Sequence, residues 1–262
     1  MVKISCLMAV YNQASTVVAA VNSILKQTYS NFELIIVNDA STDDTWPLLQ
    51  TLAAQDKRIL LINNRRRFGL TRSLNKAIKQ AQGKYFARMD ADDLALPQRF
   101  AKQIAYLETH PEIILLGSAA ELINDQDKVI GLKRFPSNYS TLRRQILSFC
   151  PFIHPTWMFK RNHIYNENFP LAQDYELALR ISINHQTANL AEPLLQYRVN
   201  SPWAISFKHL KQQEYFALKA RFYALTQYGY SWLESWKLIK PCLSFLVPVD
   251  IKLIIYRKFF WR

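Results

Sequence analysis

Along the first third of the chain, short apolar runs alternate with stretches in which apolar residues recur every three or four positions. Short runs rich in Val, Ile and Leu predict β-strands, and apolar residues three or four positions apart predict amphipathic helices. The predicted strands are Ile4–Val10, Phe32–Val37, Ile59–Asn63 and Tyr85–Met89, and the predicted helices are Ser15–Gln27, Thr45–Gln55 and Leu70–Ala81. This order is typical of an α/β fold with a mostly parallel central sheet flanked by helices.

The pattern becomes less regular beyond Pro97. A helix is predicted over Phe100–Leu107, and Ile113–Ala120 is predicted to return as a strand. A second acidic segment then opens a helix near residue 174, and the last sixty or so residues are basic and aromatic. The pattern therefore divides the chain into residues 1–98, 99–200 and 201–262.

Polar residues follow three of the predicted strands. Tyr11 and Asn12 follow the first strand, Asn38 and Asp39 the second, and residues 90–93 the fourth. In open sheets of this type, ligands bind beyond the carboxyl ends of the strands. These residues are therefore expected to converge on one edge of the sheet.

The segment Arg88–Asp93 places Asp90, Asp92 and Asp93 within four positions. Carboxylates this close raise one another's pKa unless a metal ion or a basic partner compensates their charge. A strand that ends in Asp-x-Asp therefore indicates a site where Mg²⁺ or Mn²⁺ joins the protein to phosphate oxygens. The alternative is a solvated acidic turn.

Asp39 lies at a strand end, ahead of a group of helix-capping residue types. A carboxylate there is able to accept hydrogen bonds from a ligand N–H or hydroxyl group. Thr42 and Asp43 are expected instead to cap the following helix, because Ser, Thr and Asp satisfy free N–H groups at helix starts.

Two further residues each have a structural and a functional interpretation. His154 lies between two prolines in an apolar segment, where it serves either as a hydrogen-bonding residue of the fold or as a ligand-binding residue. Asp174 opens a helix, where it either complements the helix dipole or abstracts a proton from an acceptor hydroxyl.

Composition and charge exclude several classes of protein. Three widely spaced cysteines support neither a disulfide framework nor a zinc site, and they favour a reducing compartment. Neither a dinucleotide-binding glycine motif nor a P-loop is present, so phosphates must be held by metal and side chains. The sequence predicts no signal peptide and no membrane-spanning run.

Residues 201–262 carry ten of the Lys and Arg residues against three acids, within a net charge of +13, and 15 of the 34 aromatic residues. Rings mixed with cations suit an anionic membrane surface. The alternative is a helical hairpin packed on the rest of the protein. Long aliphatic runs argue against nucleic acid as the partner.

These motifs resemble those of the family 2 glycosyltransferases, which are inverting enzymes of GT-A fold. The matching segments, from about Ile4 to Arg198, are Ala9–Asn12, Ser23–Tyr29, Val37–Asp43, Gly69–Asn75, Arg88–Asp93, Pro155–Thr156 and Asp174–Leu177. The resemblance implies that residues 1–98 bind the nucleotide-sugar donor and that residues 99–200 bind the acceptor.

The resemblance also implies the roles of individual residues. Tyr11 and Asp39 would line a uridine pocket, with Arg72 near the nucleotide. Asp90 would contact the donor and, with Asp92, would bind Mn²⁺ or Mg²⁺. Asp174 would be the general base.

One departure from the family pattern concerns this base. Gln173 stands where an acidic residue usually precedes it. The loss of a like charge is expected to lower the pKa of Asp174 relative to the usual acidic pair.

The expected function is transfer of one sugar per encounter from a UDP-sugar to a glycan or glycolipid of the cell surface, such as lipooligosaccharide, O-antigen or capsule. The expected location is peripheral, at the cytoplasmic face of the membrane. Two alternatives remain open at this point: a glycan-binding scaffold whose site has decayed, for which Gln173 is the only hint, and a nucleotidyltransferase, against which the missing glycine-rich loop argues.

Overall fold

The computed structural model describes residues 2–199 and 209–252. Its first half alternates strands and helices as predicted. The elements are β1 (Ile4–Val10), α1 (Val17–Leu25), β2 (Phe32–Asn38), α2 (Thr45–Gln55), β3 (Ile59–Asn63), α3 (Leu70–Gln80) and β4 (Tyr85–Met89). The bounds of β1, β3, β4 and α2 agree with the prediction to the residue, and α1 is shorter at both ends.

The second half adds shorter strands and further helices. They are β5 (Leu94–Ala95), α4 (Arg99–Thr109), β6 (Ile113–Ile123), β7 (Val129–Lys133), α5 (Tyr139–Gln145), a 3₁₀ helix (His154–Thr156), β8 (Met158–Lys160), α6 (Gln173–Ser182), β9 (Gln186–Arg198), α7 (Leu210–Thr226), a second 3₁₀ helix (Trp232–Leu238) and α8 (Ile239–Leu246).

One sheet runs through both halves in the order β3-β2-β1-β4-β8-β6-β9-β5, with β7 paired to β6. The strands β3, β2, β1 and β4 are parallel, whereas β8 is antiparallel to both of its neighbours. Beyond β8 the pair β6 and β9 is parallel again, and β7 and β5 are antiparallel. The predicted parallel arrangement therefore describes the first four strands and one later pair.

Helices cover both faces of the parallel part, which explains the continuous apolar runs of its strands. Ile4, Cys6 and Met8 of β1 pack in the cluster that contains α1, α2 and α4, whereas Leu7 packs with α3 and α6 on the other face. A strand buried on both sides needs apolar residues at successive positions, and this is the pattern that the sequence shows.

The strand β9 was not predicted, because Pro193 interrupts its pattern. Its pairing with β6 shifts register there: Leu190 pairs with Ser118 and Pro193 with Ala119, which leaves two residues of β9 unpaired. Proline has no N–H group to donate to a ladder, so it is tolerated at such a bulge. Beyond the bulge, β9 continues to Arg198.

The predicted C-terminal region separates into two parts. Helix α7 packs on the domain through Ala220, Ala224 and Leu225, so the packed-helix alternative holds for this part. Residues 232–246 are mostly exposed at the surface. Residues 201–208 and 253–262 of the predicted region lie outside the described residues.

Candidate active site at the carboxyl edge of the sheet

A cavity of about 1090 Å³ opens beyond the carboxyl ends of β1, β2 and β4. Of the six residues that the sequence singled out for donor, metal and base roles, five line it: Tyr11, Asp39, Asp90, Asp92 and Asp174. They come from segments far apart in the chain, and the predicted convergence on one edge is what the fold produces.

Arg72 is not among the residues that line this cavity. Its side chain is 57% exposed, and its Nε lies 3.4 Å from Oε2 of Glu167. It lies in the first turn of α3.

The acidic turn, residues 90–93, brings oxygens of Asp90, Asp92 and Asp93 within 4.8 Å of one another. Burial and the neighbouring Asp90 raise the pKa of Asp92 to about 6. Burial and the other two carboxylates raise the pKa of Asp93 well above its usual range. The three carboxylates therefore repel one another, and this repulsion disfavours the fully ionised form of the turn.

Arg88 lies directly before this turn, and its side chain is buried. Its guanidinium forms an ion pair with Oδ2 of Asp90. Burial opposes the charge on Arg88, but Asp90 outweighs that effect and raises the pKa of the arginine. A permanent cation thus offsets part of the acidic charge.

Arg198, at the end of β9, holds the same turn from the other half of the chain. Its backbone N–H donates to Oδ1 of Asp93 at 2.8 Å, and its Nε donates to the carbonyl oxygen of Asp92 at 2.8 Å. Its Nη1 donates to the carbonyl oxygen of Asn124 at 2.6 Å, and its Nη2 pairs with Asp127. The arginine therefore fastens the acidic turn to the β6–β7 hairpin.

The acidic turn fits a hard divalent cation. Carboxylate oxygens are the donors that such ions prefer, and the spacing of the three side chains lets oxygens converge on one ion. Oδ2 of Asp93 is buried without a hydrogen-bond partner. Because Asp90 and Asp92 face the cavity and Asp93 is held by Arg198, the first two would bind the ion.

The carboxylate of Asp39 is occupied by the protein itself. Oδ1 accepts hydrogen bonds from Asn64 Nδ2 at 2.8 Å, Phe68 N at 2.9 Å and Ser73 Oγ at 3.0 Å, and Oδ2 accepts one from Gly69 N at 2.8 Å. Gly69 has φ of 87°, which favours glycine. Asp39 thus holds the loop before α3 as well as lining the cavity.

That loop contains three consecutive arginines, residues 65–67. Arg67 lines the cavity, and its guanidinium carbon lies 4.0 Å from the centre of the Tyr11 ring. The sequence reasoning missed Arg67, although a run of three arginines after a strand was a visible signal. Tyr11 and Arg67 together form a flat, cationic wall of the cavity.

Asp43 bonds to the start of α2, as predicted, whereas the prediction that Thr42 caps this helix is wrong, because Thr42 bonds to Asn12 instead. The Thr42 N–H donates to Oδ1 of Asn12 at 2.8 Å. Oδ1 of Asp43 accepts from Thr45 N and Oδ2 from Ala14 N, each at 3.1 Å. These bonds join the loop after β1 to the start of α2.

Asp174 lies in the first turn of α6, half-buried in the wall of the cavity. Burial raises its pKa above the usual range for aspartate. Burial therefore opposes the lower pKa that was expected for Asp174 because Gln173 replaces an acidic neighbour. A raised pKa makes a carboxylate a stronger proton acceptor once it is ionised.

His154 forms a hydrogen bond within the protein, as its structural interpretation predicted. Its Nε2 lies 2.8 Å from the Tyr165 hydroxyl, and its ring packs edge-on to Trp157. Burial and the nearby Arg88 lower its pKa well below the usual range, so the imidazole is neutral. The residue also lines the cavity.

Helix α7 forms a further wall of the cavity, which the sequence motifs did not reveal. Gln213, Phe216 and Arg221 contribute to this wall. Arg221 is held by hydrogen bonds from Nε to the Leu147 carbonyl and from Nη2 to the Ser148 carbonyl, both at 2.9 Å. Its guanidinium also lies over the Tyr175 ring.

None of the helices in residues 2–199 and 209–252 combines the length and the apolar character needed to cross a membrane.

Residues 5–184 match the glycosyl transferase family 2. The Escherichia coli protein WfaP, a UDP-Glc:alpha-D-GlcNAc-diphosphoundecaprenol beta-1,3-glucosyltransferase, is 32% identical over 217 residues, or 80% of this chain and 83% of that protein.

Two solved structures share the fold of the chain. S. aureus TarS in complex with UDP aligns with a TM-score of 0.66 and 17% identity over 93% of this chain and 70% of that one. The mannosyltransferase PcManGT from Pyrobaculum calidifontis, in complex with GDP-Man and Mn²⁺, aligns with a TM-score of 0.60 and 18% identity over 99% of this chain and 81% of that one. The predicted GT-A fold is thereby confirmed.

The hydrogen bonds of Asp39 lead to a prediction about the arginine loop. In Asp39→Asn, one acceptor oxygen becomes an NH₂ group that faces N–H donors. We expect a loss of about 1–3 kcal/mol in the free energy of unfolding. Hydrogen exchange at the amides of Phe68 and Gly69 should also accelerate.

The matched control is Asp44→Asn, because Asp44 is exposed and its side chain makes no capping hydrogen bond. Denaturant unfolding and amide exchange measure both variants. Equal stability of the two variants would contradict the anchoring role of Asp39.

Proposed function

The chain belongs to glycosyl transferase family 2, and on that premise we propose that it moves a sugar from a UDP-activated donor to a hydroxyl group of a growing surface glycan. The transfer is a single displacement that inverts the anomeric carbon and adds one sugar per encounter. The observation that carries this proposal is the convergence of Tyr11, Asp39, Asp90, Asp92 and Asp174 on one cavity.

The names of similar proteins support the class of donor and acceptor. WfaP acts with UDP-Glc on a diphosphoundecaprenol-linked acceptor, and TarS is known in complex with UDP. We therefore place the acceptor of this chain on a lipid carrier or a lipooligosaccharide core, at the cytoplasmic face of the membrane.

The donor lies against the edge of the parallel strands in this proposal. The uracil ring of the donor stacks near Tyr11, and Asp39 lies at the back of the pocket. Arg67 faces the cavity from the adjoining loop, where its charge is suited to the diphosphate. The earlier prediction placed Arg72 near the nucleotide, and this remains a prediction.

The chemical step requires a base on the acceptor side. The acceptor oxygen forms a bond to the anomeric carbon as the bond to the diphosphate breaks, and Asp174 takes the hydroxyl proton. A divalent cation bound at Asp90 and Asp92 would offset the negative charge that the leaving diphosphate gains. UDP then leaves the donor pocket.

Helix α7, which lies outside the family motifs, contributes side chains to the part of the cavity where the acceptor would bind. Gln213 and Arg221 lie on the wall of the same cavity as Asp174. An amide and a guanidinium are suited to binding sugar hydroxyls and an anionic carrier group, respectively.

Binding of nucleotide-sugars to the full chain is the first test of this function. Melting temperature is measured with UDP-, GDP-, CMP- and dTDP-sugars, each with and without Mn²⁺. We expect a manganese-dependent rise with a UDP-sugar, because a ligand at 100 times its Kd stabilises the folded state by about 2.7 kcal/mol.

Two results of this panel would contradict the proposal. A rise with a GDP-sugar alone would overturn the choice of donor. No rise with any nucleotide-sugar would favour a glycan-binding scaffold without activity.

The assigned roles of the acidic residues predict two different losses of function. Asp92→Asn should weaken metal-dependent donor binding. Asp174→Asn should leave the Kd of the donor within about twofold of that of the unchanged chain. It should lower the transfer rate about 10²-fold or more, on the order of the contribution of a general base. Donor titration and transfer assays separate the two effects, and equal loss of donor binding in both variants would refute the roles.

Arg67 and Arg72 form a matched pair for the donor pocket. Arg67→Ala should raise the Kd of the donor about tenfold, because a hydrogen bond to a charged group contributes about 1.5–3 kcal/mol. Arg72→Ala removes an arginine of the same type from outside the cavity and should change the Kd much less. Calorimetric titration of both variants checks this, and the reverse order would return the role to Arg72.

A further inference from the structure

The six most exposed large apolar side chains in the described part of the chain all come from one segment, residues 232–246. Their exposures run from 59% to 88%. We call this set the docking face, and its members are Trp232, Leu233, Trp236, Ile239, Leu243 and Leu246. Scattered exposed apolar residues are ordinary, but a contiguous set marks an interaction site.

Polar contacts hold this segment in place, so its exposure is a property of the fold. The Ser231 hydroxyl accepts a hydrogen bond from Leu233 N at 3.2 Å. Glu234 binds Arg143 of α5 at 3.3 Å and Lys237 at 2.7 Å. Lys211 of α7 donates to the Phe245 carbonyl. Leu238 is the buried residue of the segment, and α8 has none.

An apolar groove of about 390 Å³ separates the docking face from α7. Phe222 and Leu225 of α7 form one side of the groove, and Trp232, Ile239 and Leu243 contribute to the other. The apolar surface therefore extends inward from the exposed side chains and is not a single ridge.

The surroundings of the docking face are positively charged. Residues 209–252 contain six Lys or Arg residues and three acids. Glu214 and Glu234 are ion-paired with Lys252 and Lys237, which leaves Lys240 within residues 232–246 and Lys211 beside them as exposed cations.

From this combination we propose that the docking face binds the surface of a bilayer that contains anionic lipid. Indole rings are favoured at the boundary between headgroups and hydrocarbon, and aliphatic side chains insert below them. Nearby lysines and arginines gain attraction from anionic headgroups. Exposed indoles, exposed leucines and the exposed Lys240 all come from residues 232–246.

Helix α7 lies between the large cavity and the groove beneath the docking face. One side of the helix, with Phe216 and Arg221, lines the catalytic cavity, and another side, with Phe222 and Leu225, lines the groove beneath the docking face. Binding at the docking face would therefore leave α7 and residues 232–246 between the cavity and the lipid. The binding itself does not depend on the proposed transfer reaction.

The test measures binding of the full chain to vesicles of phosphatidylcholine alone and of phosphatidylcholine mixed equally with phosphatidylglycerol. We expect co-sedimentation with the anionic vesicles that weakens as salt is added. Trp232→Ser with Trp236→Ser should reduce the partition coefficient about tenfold or more, because two indoles lose their apolar contact with lipid.

The matched control is Ile130→Ser with Ile164→Ser, which removes two side chains of 53% and 55% exposure outside the docking face. The control should bind vesicles as the unchanged chain does. Both variants should keep its melting temperature and its response to nucleotide-sugars, which separates lipid binding from the proposed function.

Three outcomes would overturn the inference. Equal binding of the tryptophan variant would assign lipid binding to another surface, such as residues 253–262. Equal binding to both kinds of vesicle would remove the role of anionic lipid. Absence of vesicle binding, with a dimer that the tryptophan variant dissociates, would assign the face to a second copy of the chain.

Discussion

The crowding of Asp90, Asp92 and Asp93 in one turn is the constraint on which the site depends. Two unit charges about 4 Å apart repel by about 4 kcal/mol at the effective dielectric of a protein surface. Arg88 neutralises part of this charge from inside the sheet, and Arg198 holds the turn from the end of β9. The site therefore requires both halves of the chain, although all three carboxylates come from one short segment.

The sequence predicts the parallel part of the fold well, because its strands are buried on both faces and appear as unbroken apolar runs. It also predicts that Tyr11, Asp39 and Asp90 approach one edge, because the carboxyl ends of parallel strands meet there. Asp174 is added to them only by the family resemblance. The run of three arginines is visible in the sequence, but the pattern does not indicate which of them lines the cavity. The position of Arg67 depends on how Asp39 holds the loop before α3, which is a contact between residues distant in sequence.

The same limit applies to β9 and to the C-terminal helices. Pro193 hides β9, since a bulge that accommodates proline is visible only once β6 lies beside it. Aromatic residues are spread around α7, so the sequence does not reveal which side faces the core. The structure divides the predicted tail into a helix that lines the large cavity and a segment that presents apolar side chains to the outside.

The bond from Arg198 N to Asp93 joins residues 105 positions apart, and this separation affects how the protein is made. At roughly 5–20 residues per second, a ribosome adds Arg198 roughly 5–20 s after Asp93. During that interval the nascent chain carries the acidic turn without its second arginine. The order of synthesis thus delays completion of the turn until β9 has been translated.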